Sequence, residues 1–507
     1  MTAEILFGPE RRSGTDTMDN AARLAGGLAA LGVADGDVIA VMLRNEPAYL
    51  ELILACRIAG CYYCPINWHF KSTEVGYLLH DSGARVLFVH ADLLPEVRAA
   101  IPPDVTVIAV APHPHVQQNY RLPTPAAMDG ALPYETWLAQ QRAYAGPART
   151  PRGHMVYTSG TTGHPKGVRR QPANAEQQAL ALQTVRDGFG IHPGVRALLS
   201  APLYHSAPSL FAQQALLQGE CLALEARFDA EQTLALIERH AIQTAYLVPV
   251  MYVRLLRLPP EVRARYDLSS LRFVASTGSP CAPEVKRAMI DWLGPVIHET
   301  YASSETGLVT VIGSDESLRK PGSVGKPLGP AKIAILDADG RRCGPREIGR
   351  IYARQPAYAD FTYNNNDEAR RAIEHEGLVH IGDVGYLDED GYLYVCDRAS
   401  DMVISGGVNI YPAEIEHALI AMPGVGDCAV FGIPDDEYGE ALAAVVEVAP
   451  GSSLEAPAIR AFLGERIAGY KVPRHIELVS GLPRDDNGKV AKRRLRDAWW
   501  SGRGRAI

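Results

Sequence analysis

The residues best equipped for chemistry are densest between Tyr157 and Val168, where the chain reads YTSGTTGHPKGV. Three glycines (Gly160, Gly163, Gly167), five hydroxyl side chains and Lys166 crowd into this stretch. Glycines permit turns closed to other residues and let backbone N–H groups approach a ligand. Thr158, Ser159, Thr161 and Thr162 add hydroxyl donors, and Lys166 adds a point charge suited to phosphate. The common phosphate loop, GxxxxGK[ST], places a hydroxyl for Mg²⁺ directly after its lysine. Here Pro165 precedes Lys166 and Gly167 follows it, so the loop is not of that kind. It reads either as a different phosphate cradle or as a surface loop of small polar residues. The ordered Pro165-Lys166-Gly167 insertion favours the cradle.

Regular elements must hold such a loop in place. HMVY (154–157) reads as a strand leading into it, and Asn174 with Gln177 has the form of a helix-capping pair beyond it. Upstream, VIAVML (38–43) and ARVLFV (84–89) read as buried strands. Between them Leu50, Ile53, Leu54 and Ile58 recur at helical spacing. This alternation implies an α/β fold with largely parallel sheets flanked by helices. From about 112 to 153 the chain is rich in Pro, Ala, Gly and Gln, which predicts a long surface connection. GYLDEDGYLYVCDR (385–398) reads as a hairpin turning at Asp390-Gly391. A small α+β unit follows: Pro412 suits a first helical turn, Ile415, Leu419 and Met422 mark one apolar face, and DCAVFGI and LAAVVEV read as strands.

The bulk composition narrows the function classes. At 507 residues several domains are expected. A net charge of −8 with no long basic run before the last residues argues against nucleic acid as partner. No apolar run reaches membrane-spanning length and the start, MTAEILFGPERR, lacks a signal peptide's apolar centre, so a cytoplasmic protein without integral membrane association is expected. Eight scattered cysteines do not suggest a disulfide framework. Cys56, Cys61 and Cys64 read as core thiols or as an incomplete metal set; no fourth Cys or suitably spaced His lies nearby.

TSGTTGHPKG (158–167) resembles the signature loop of the adenylate-forming, AMP-binding superfamily, and further blocks follow in that family's order. LLSAPLYHSAP (198–208) resembles the segment bearing an aromatic or His gate at the acyl site. VASTGSP (274–280) and ETYASSETG (299–307) resemble the adenine and glutamate blocks, and HIGDVGYLDEDGYLYVCDR (380–398) the ribose block. ISGGVNIYPAEIE (404–416) and PRDDNGKVAKRRLR (483–496) resemble the two C-terminal blocks. The resemblance implies an N-terminal AMP- and acyl-binding domain over 1–397, a hinge at 398–400 and a small mobile C-terminal domain over 401–507. It points to the acyl- and aryl-CoA synthetase branch, using ATP, Mg²⁺ and coenzyme A.

The site residues follow from that resemblance. Lys489 corresponds to the catalytic lysine that bridges carboxylate and α-phosphate; by itself it reads as one more lysine beside Lys492, Arg493 and Arg494. Glu305 corresponds to the Mg²⁺ ligand, with Ser304 where Thr is usual and Ala302 where Gly is usual. Thr158, Ser159, Gly160, Thr161, Thr162, Gly163 and Lys166 would hold ATP phosphates, Lys166 as a clamp on the β- and γ-phosphates. Gly278, Ser279, Pro280, Glu299, Thr300 and Tyr301 would form the adenine side, Asp383 would take the ribose hydroxyls, and Arg398 the ribose or phosphate. His205 corresponds to the gate between carboxylate and thiol routes. Ser400 stands at the hinge. Ser405, Gly406 and Gly407 would pass the pantetheine arm of CoA, and Ser405 replaces a lysine found in some members.

Tyr204, Tyr246, Val250, Ser276 and Thr277 are expected to line the acyl pocket. None is cationic, which favours an apolar monocarboxylic acid, medium-chain or aromatic. Arg169 and Arg170 are expected to meet solvent or CoA phosphate. The other readings are a stand-alone adenylating enzyme that loads a carrier protein, and a silent nucleotide-binding scaffold. A serine hydrolase is excluded by the absence of a GxSxG elbow. The enzyme is expected as a monomer or homodimer.

Overall fold

The computed structural model describes residues 2–123, 130–158, 165–279, 281–399, 401–405, 408–484 and 490–501. Two parallel sheets dominate the first three hundred residues. The first runs, strand by strand, Tyr62–Pro65, Val38–Met42, Ala84–His90, Thr106–Val110, Leu132–Pro133. The second runs Ile297–Glu299, Phe273–Ser276, Thr244–Tyr246, Arg196–Leu199, Cys221–Leu224, Glu4–Phe7, with Glu10–Arg12 antiparallel at its edge. Each residue of Val38–Met42 is buried, as expected for a parallel strand covered on both faces.

One apolar core takes side chains from both sheets, Ile39, Val41 and Phe88 from one and Ile5, Leu198 and Leu222 from the other. Helix Pro47–Ala59 joins it and is buried on nearly every face, more fully than its spaced leucines and isoleucines suggest. Cys56, Cys61 and Cys64 are free, buried core thiols. Burial pushes the thiols of Cys61 and Cys64 up to about 12, so all three behave as small hydrophobes.

The stretch 112–153 departs from the expected surface connection. Pro114–Tyr120 and Tyr134–Ala139 are helical, and Tyr134, Trp137 and Leu138 are buried in the main core. Three large apolar residues outweigh the polar, Pro-rich composition around them.

The remaining sheets are mostly antiparallel. Leu378–Leu387 and Leu393–Arg398 form the expected hairpin, in a sheet with Lys332–Leu336 and Gly349–Arg354. Pro412 opens helix Pro412–Ile420 at its first turn, and Ile415 and Leu419 are buried beneath it. Strands Val425–Asp435 and Gly439–Val448 pair along their length, and His475–Val479 joins in parallel. A three-stranded ribbon, Phe361–Tyr363, Lys166–Arg170 and Val156–Thr158, carries the two ends of the glycine loop. Asn174 and Gln177 form the capping box of helix Ala175–Phe189.

Candidate active site

Glu305 sits at the tip of a tight hairpin in which Ala302 pairs with Leu308 and Ser303 with Gly307. The Ser303 hydroxyl accepts from the Thr306 N–H at 2.9 Å and closes the turn. Gly307 has φ +75°, and a Cβ there would stand 2.3 Å from the Tyr358 ring, so both backbone and space demand glycine. Glu305 is buried. Its Oε1 accepts from the Thr158 hydroxyl and from the Tyr363 hydroxyl, each at 3.2 Å. Its Oε2 receives no hydrogen bond from the described residues.

Thr158 lies opposite Lys166 in the ribbon, and Val168 lies opposite Tyr363. Lys166 Nζ stands 5.2 Å over the Tyr363 ring. The fold thus gathers Thr158, Lys166, Glu305 and Tyr363 from three distant stretches of chain. The ribbon is anchored from below: the Tyr157 hydroxyl donates to Asp81 Oδ2 at 2.6 Å, and Asn364 Nδ2 donates to the Asp81 carbonyl at 2.6 Å. Ser159, Gly160, Thr161, Thr162 and Gly163 lie outside the described residues.

Arg170 contradicts the expectation of a solvent- or CoA-facing side chain. Its Nη2 donates to the carbonyls of Ser304 (2.7 Å) and Glu305 (2.6 Å), and its Nη1 to that of Ala359 (2.9 Å). Burial lowers its guanidinium to about 10, still cationic at neutral pH. Arg169, half-buried on the other face of the strand, lies over the Tyr62 ring at 4.9 Å and donates from Nη2 to the Gly36 carbonyl at 3.3 Å.

Asp383 and Arg398 face each other across the hairpin Leu378–Leu387 and Leu393–Arg398. Asp383 is buried; it pairs with Arg398 Nε at 2.9 Å and accepts from the Tyr301 hydroxyl at 2.5 Å. Burial, then the Asp383 charge, pushes the Tyr301 phenol well up, so it stays a donor. Each carboxylate oxygen keeps a second lone pair for a ribose hydroxyl.

On the adenine side, Gly278 follows strand Phe273–Ser276 with φ +96°, and the Thr300 N–H donates to the Ser276 carbonyl at 2.9 Å. The Thr300 hydroxyl is buried without a partner among the described residues. Glu299 is buried. Its side chain and that of Lys286 form an ion pair at 5% and 6% exposure, and its backbone N–H and carbonyl are both bonded to Ile312. Its place at the end of a core strand buries the carboxylate beside Lys286. Pro280 lies outside the described residues, and Ser279, half-buried, follows the exposed Gly278 on a bend.

His205 is the N-cap residue of helix Ser206–Gln218, its ring tilted against Tyr204 at 4.6 Å. Ser206 Oγ lies 3.4 Å from Ser304 Oγ, so this helix start abuts the Glu305 hairpin. Tyr204, Ser276 and Thr277 are buried, and Val250 is exposed on the first turn of helix Pro249–Leu256. Tyr246 does not open onto a surface cleft as a lining residue should. At 1% exposure it packs against Phe189 and Phe211, with centroids at 5.8 and 5.5 Å. The strand end it occupies points into the core.

In the C-terminal portion Ser405 lies opposite Val408 and Gly439. Ser400, Gly406, Gly407 and Lys489 lie outside the described residues. Arg484 and Val490 form an antiparallel bridge, which ties together the two ends of the segment carrying Lys489. Arg257 Nη2 donates to the Gly426 carbonyl at 2.9 Å, a direct contact between the two portions of the chain.

Sequence reasoning missed Tyr363, Arg170, Asp81 and Lys286. Strand alternation offered one signal, because Lys166, Val168 and Arg170 fall on one face of KGVRR. The other partners are set by pairing between distant segments.

Comparison with known proteins agrees with this geometry. Residues 2–360 match the AMP-binding enzyme family and residues 414–489 its C-terminal domain. A fatty acid–[acyl-carrier-protein] ligase of Streptomyces coeruleorubidus is 31% identical, over 96% of this chain and 91% of its own. A feruloyl-CoA synthase of an Amycolatopsis species is 33% identical, over 94% of this chain and 91% of its own. ATP-bound MatB from Rhodopseudomonas palustris superposes with a TM-score of 0.83 at 27% identity, covering 98% of this chain and 96% of that one. The chain therefore belongs to the AMP-binding enzymes, as an AMP-forming carboxylate–CoA ligase.

Proposed function

We propose that the enzyme activates an apolar monocarboxylic acid, medium-chain or aromatic, as its acyl-AMP and then transfers the acyl group to CoA. The observation that carries this reading is the convergence of Lys166, Thr158 and Glu305, and the segments expected to line the acyl pocket supply no cationic side chain. In the first half a carboxylate oxygen attacks the α-phosphorus of ATP and the bond to the β-phosphate bridging oxygen breaks, releasing pyrophosphate. Both reactants are anions, so positioning and charge stabilisation dominate the barrier. Lys166 holds the β- and γ-phosphates, Asp383 and Arg398 hold the ribose, and Lys489 bridges the carboxylate and α-phosphate oxygens.

Glu305 is the residue to hold Mg²⁺, a hard cation that takes oxygen ligands. The donor set fits: Oε1 is steadied by two hydroxyls, while Oε2 takes none from the described residues. When bound, the ion neutralises charge on the phosphate oxygens.

In the second half the CoA sulfur attacks the acyl carbon and the acyl–phosphate C–O bond breaks, expelling AMP. His205 gates the two approaches, and rotation about Ser400 replaces Lys489 by Ser405, Gly406 and Gly407 at the acyl carbon.

Transfer to a carrier protein is the second reading, supported by the carrier-protein ligase among the relatives. The deciding experiment measures carboxylate-dependent AMP release across a panel of aliphatic and aromatic acids, with CoA or a phosphopantetheinylated carrier as acceptor. Thioester on CoA supports the reading. Thioester on the carrier alone selects the alternative, and no acid-dependent AMP release with either acceptor refutes both.

A further inference from the structure

Glu305 is gripped from two sides by one ribbon. From strand Lys166–Arg170, the Arg170 guanidinium donates to the carbonyls of Ser304 and Glu305 and to Ala359. The same guanidinium lies over the rings of Tyr358 (5.4 Å) and Phe361 (5.7 Å), and Tyr358 in turn presses on Gly307 at the foot of the hairpin. From the paired strand Phe361–Tyr363, the Tyr363 hydroxyl donates to Glu305 Oε1 while its ring lies beneath Lys166 Nζ.

We infer that Arg170 and Tyr363 are positioning residues for the metal carboxylate: Arg170 fixes the backbone of the Glu305 turn, Tyr363 fixes Oε1, and Oε2 is left for a divalent cation. The inference rests on the reading of Glu305 as a Mg²⁺ ligand. A carboxylate at a hairpin tip otherwise spreads over several rotamers, and each binding event must pay the ordering entropy. Arginine is the side chain that serves here. It donates in a planar fork, whereas lysine offers a compact charge that cannot reach three carbonyls in that plane. Since Lys166, Arg170 and Tyr363 share the face of one strand pair, the phosphate clamp and the metal ligand keep a constant spacing.

The test measures ATP binding to the full-length enzyme by isothermal titration calorimetry with and without Mn²⁺, taking the Mn²⁺-dependent gain in affinity as the strength of metal binding. Tyr363→Phe removes one hydroxyl and Arg170→Met removes the fork. Each should weaken Mn²⁺ binding by about 10–100-fold, the effect typical of residues that orient a metal ligand. Thioester formation from supplied acyl-AMP, which consumes no metal–ATP, should stay within about twofold of wild type by the same reasoning. Where Arg170→Met fails to fold, Arg170→Lys and Tyr363→Phe carry the test. Unchanged Mn²⁺ affinity in the folded variants overturns the inference, as does an equal loss in both half-reactions. Glu305→Gln separates the two levels. If it leaves Mn²⁺ binding intact, the underlying metal reading fails; if it weakens binding while Tyr363→Phe and the arginine variant do not, only the positioning role fails.

Discussion

Replacing Lys286 tests whether Glu299 serves the nucleotide or the core. The Lys286 and Glu299 side chains are 6% and 5% exposed, and no other ion pair among the described residues reaches either. Desolvating two charges costs several kcal/mol per ion, offset only while both are present. Lys286→Met therefore strands a buried carboxylate and should cost about 3–5 kcal/mol, and Glu299→Gln should cost nearly as much by stranding the ammonium. Against a typical total of roughly 5–15 kcal/mol, either change is severe. The double variant removes both charges and should recover most of the loss, giving a coupling of several kcal/mol. Urea unfolding followed by circular dichroism, with KM for ATP measured on each folded variant, reads out all three proteins. The reasoning fails if the single variants lose less than about 1 kcal/mol. It also fails if Glu299→Gln raises KM for ATP about tenfold at wild-type stability, a loss of about 1.4 kcal/mol in binding that would place the carboxylate on the nucleotide.

Three further outcomes are expected. Burial raises the Glu225 carboxyl from 4.5 to about 7 despite bonds from Ser200 and Thr233. The folded state then holds a proton that the unfolded chain releases between those values, so wild-type stability falls by about 3 kcal/mol as pH rises through that window. Glu225→Gln should lose this slope in pH-dependent thermal unfolding, and parallel profiles would reject the assignment. Lys489→Ala should lose acyl-AMP formation, by about 3–4 kcal/mol in barrier, yet still convert supplied acyl-AMP to thioester; normal pyrophosphate exchange refutes its catalytic role. Cys56, Cys61 and Cys64 should react with a thiol reagent only after denaturation, because burial keeps the thiolate from forming; prompt reaction of the native protein would count against inert core thiols.

Much of the fold was legible because it rests on local periodicity. Val38–Met42 and Ala84–His90 are short apolar runs, the Asn174–Gln177 capping pair needs only four consecutive residues, and the Asp390-Gly391 turn announces its hairpin. The 112–153 stretch misled because composition averages over residues, whereas burial is decided by the few large ones, Tyr134, Trp137 and Leu138. Arg170 misled because charge alone does not say whether a side chain faces water or the core.

The sequence by itself determined which groups are present and in what order: a glycine-rich loop with Lys166, the hairpin block with Glu305, the ribose block with Asp383 and Arg398. Those motifs are local, and their chemistry is carried by residue type. Tertiary structure alone decided which groups meet. Glu305 gains its two hydroxyl donors from positions 147 and 58 residues away, through strand pairings that no local pattern encodes. Arg170 became an internal clamp, and Glu299 a core ion pair, because long-range packing sets desolvation and hydrogen-bond partners together.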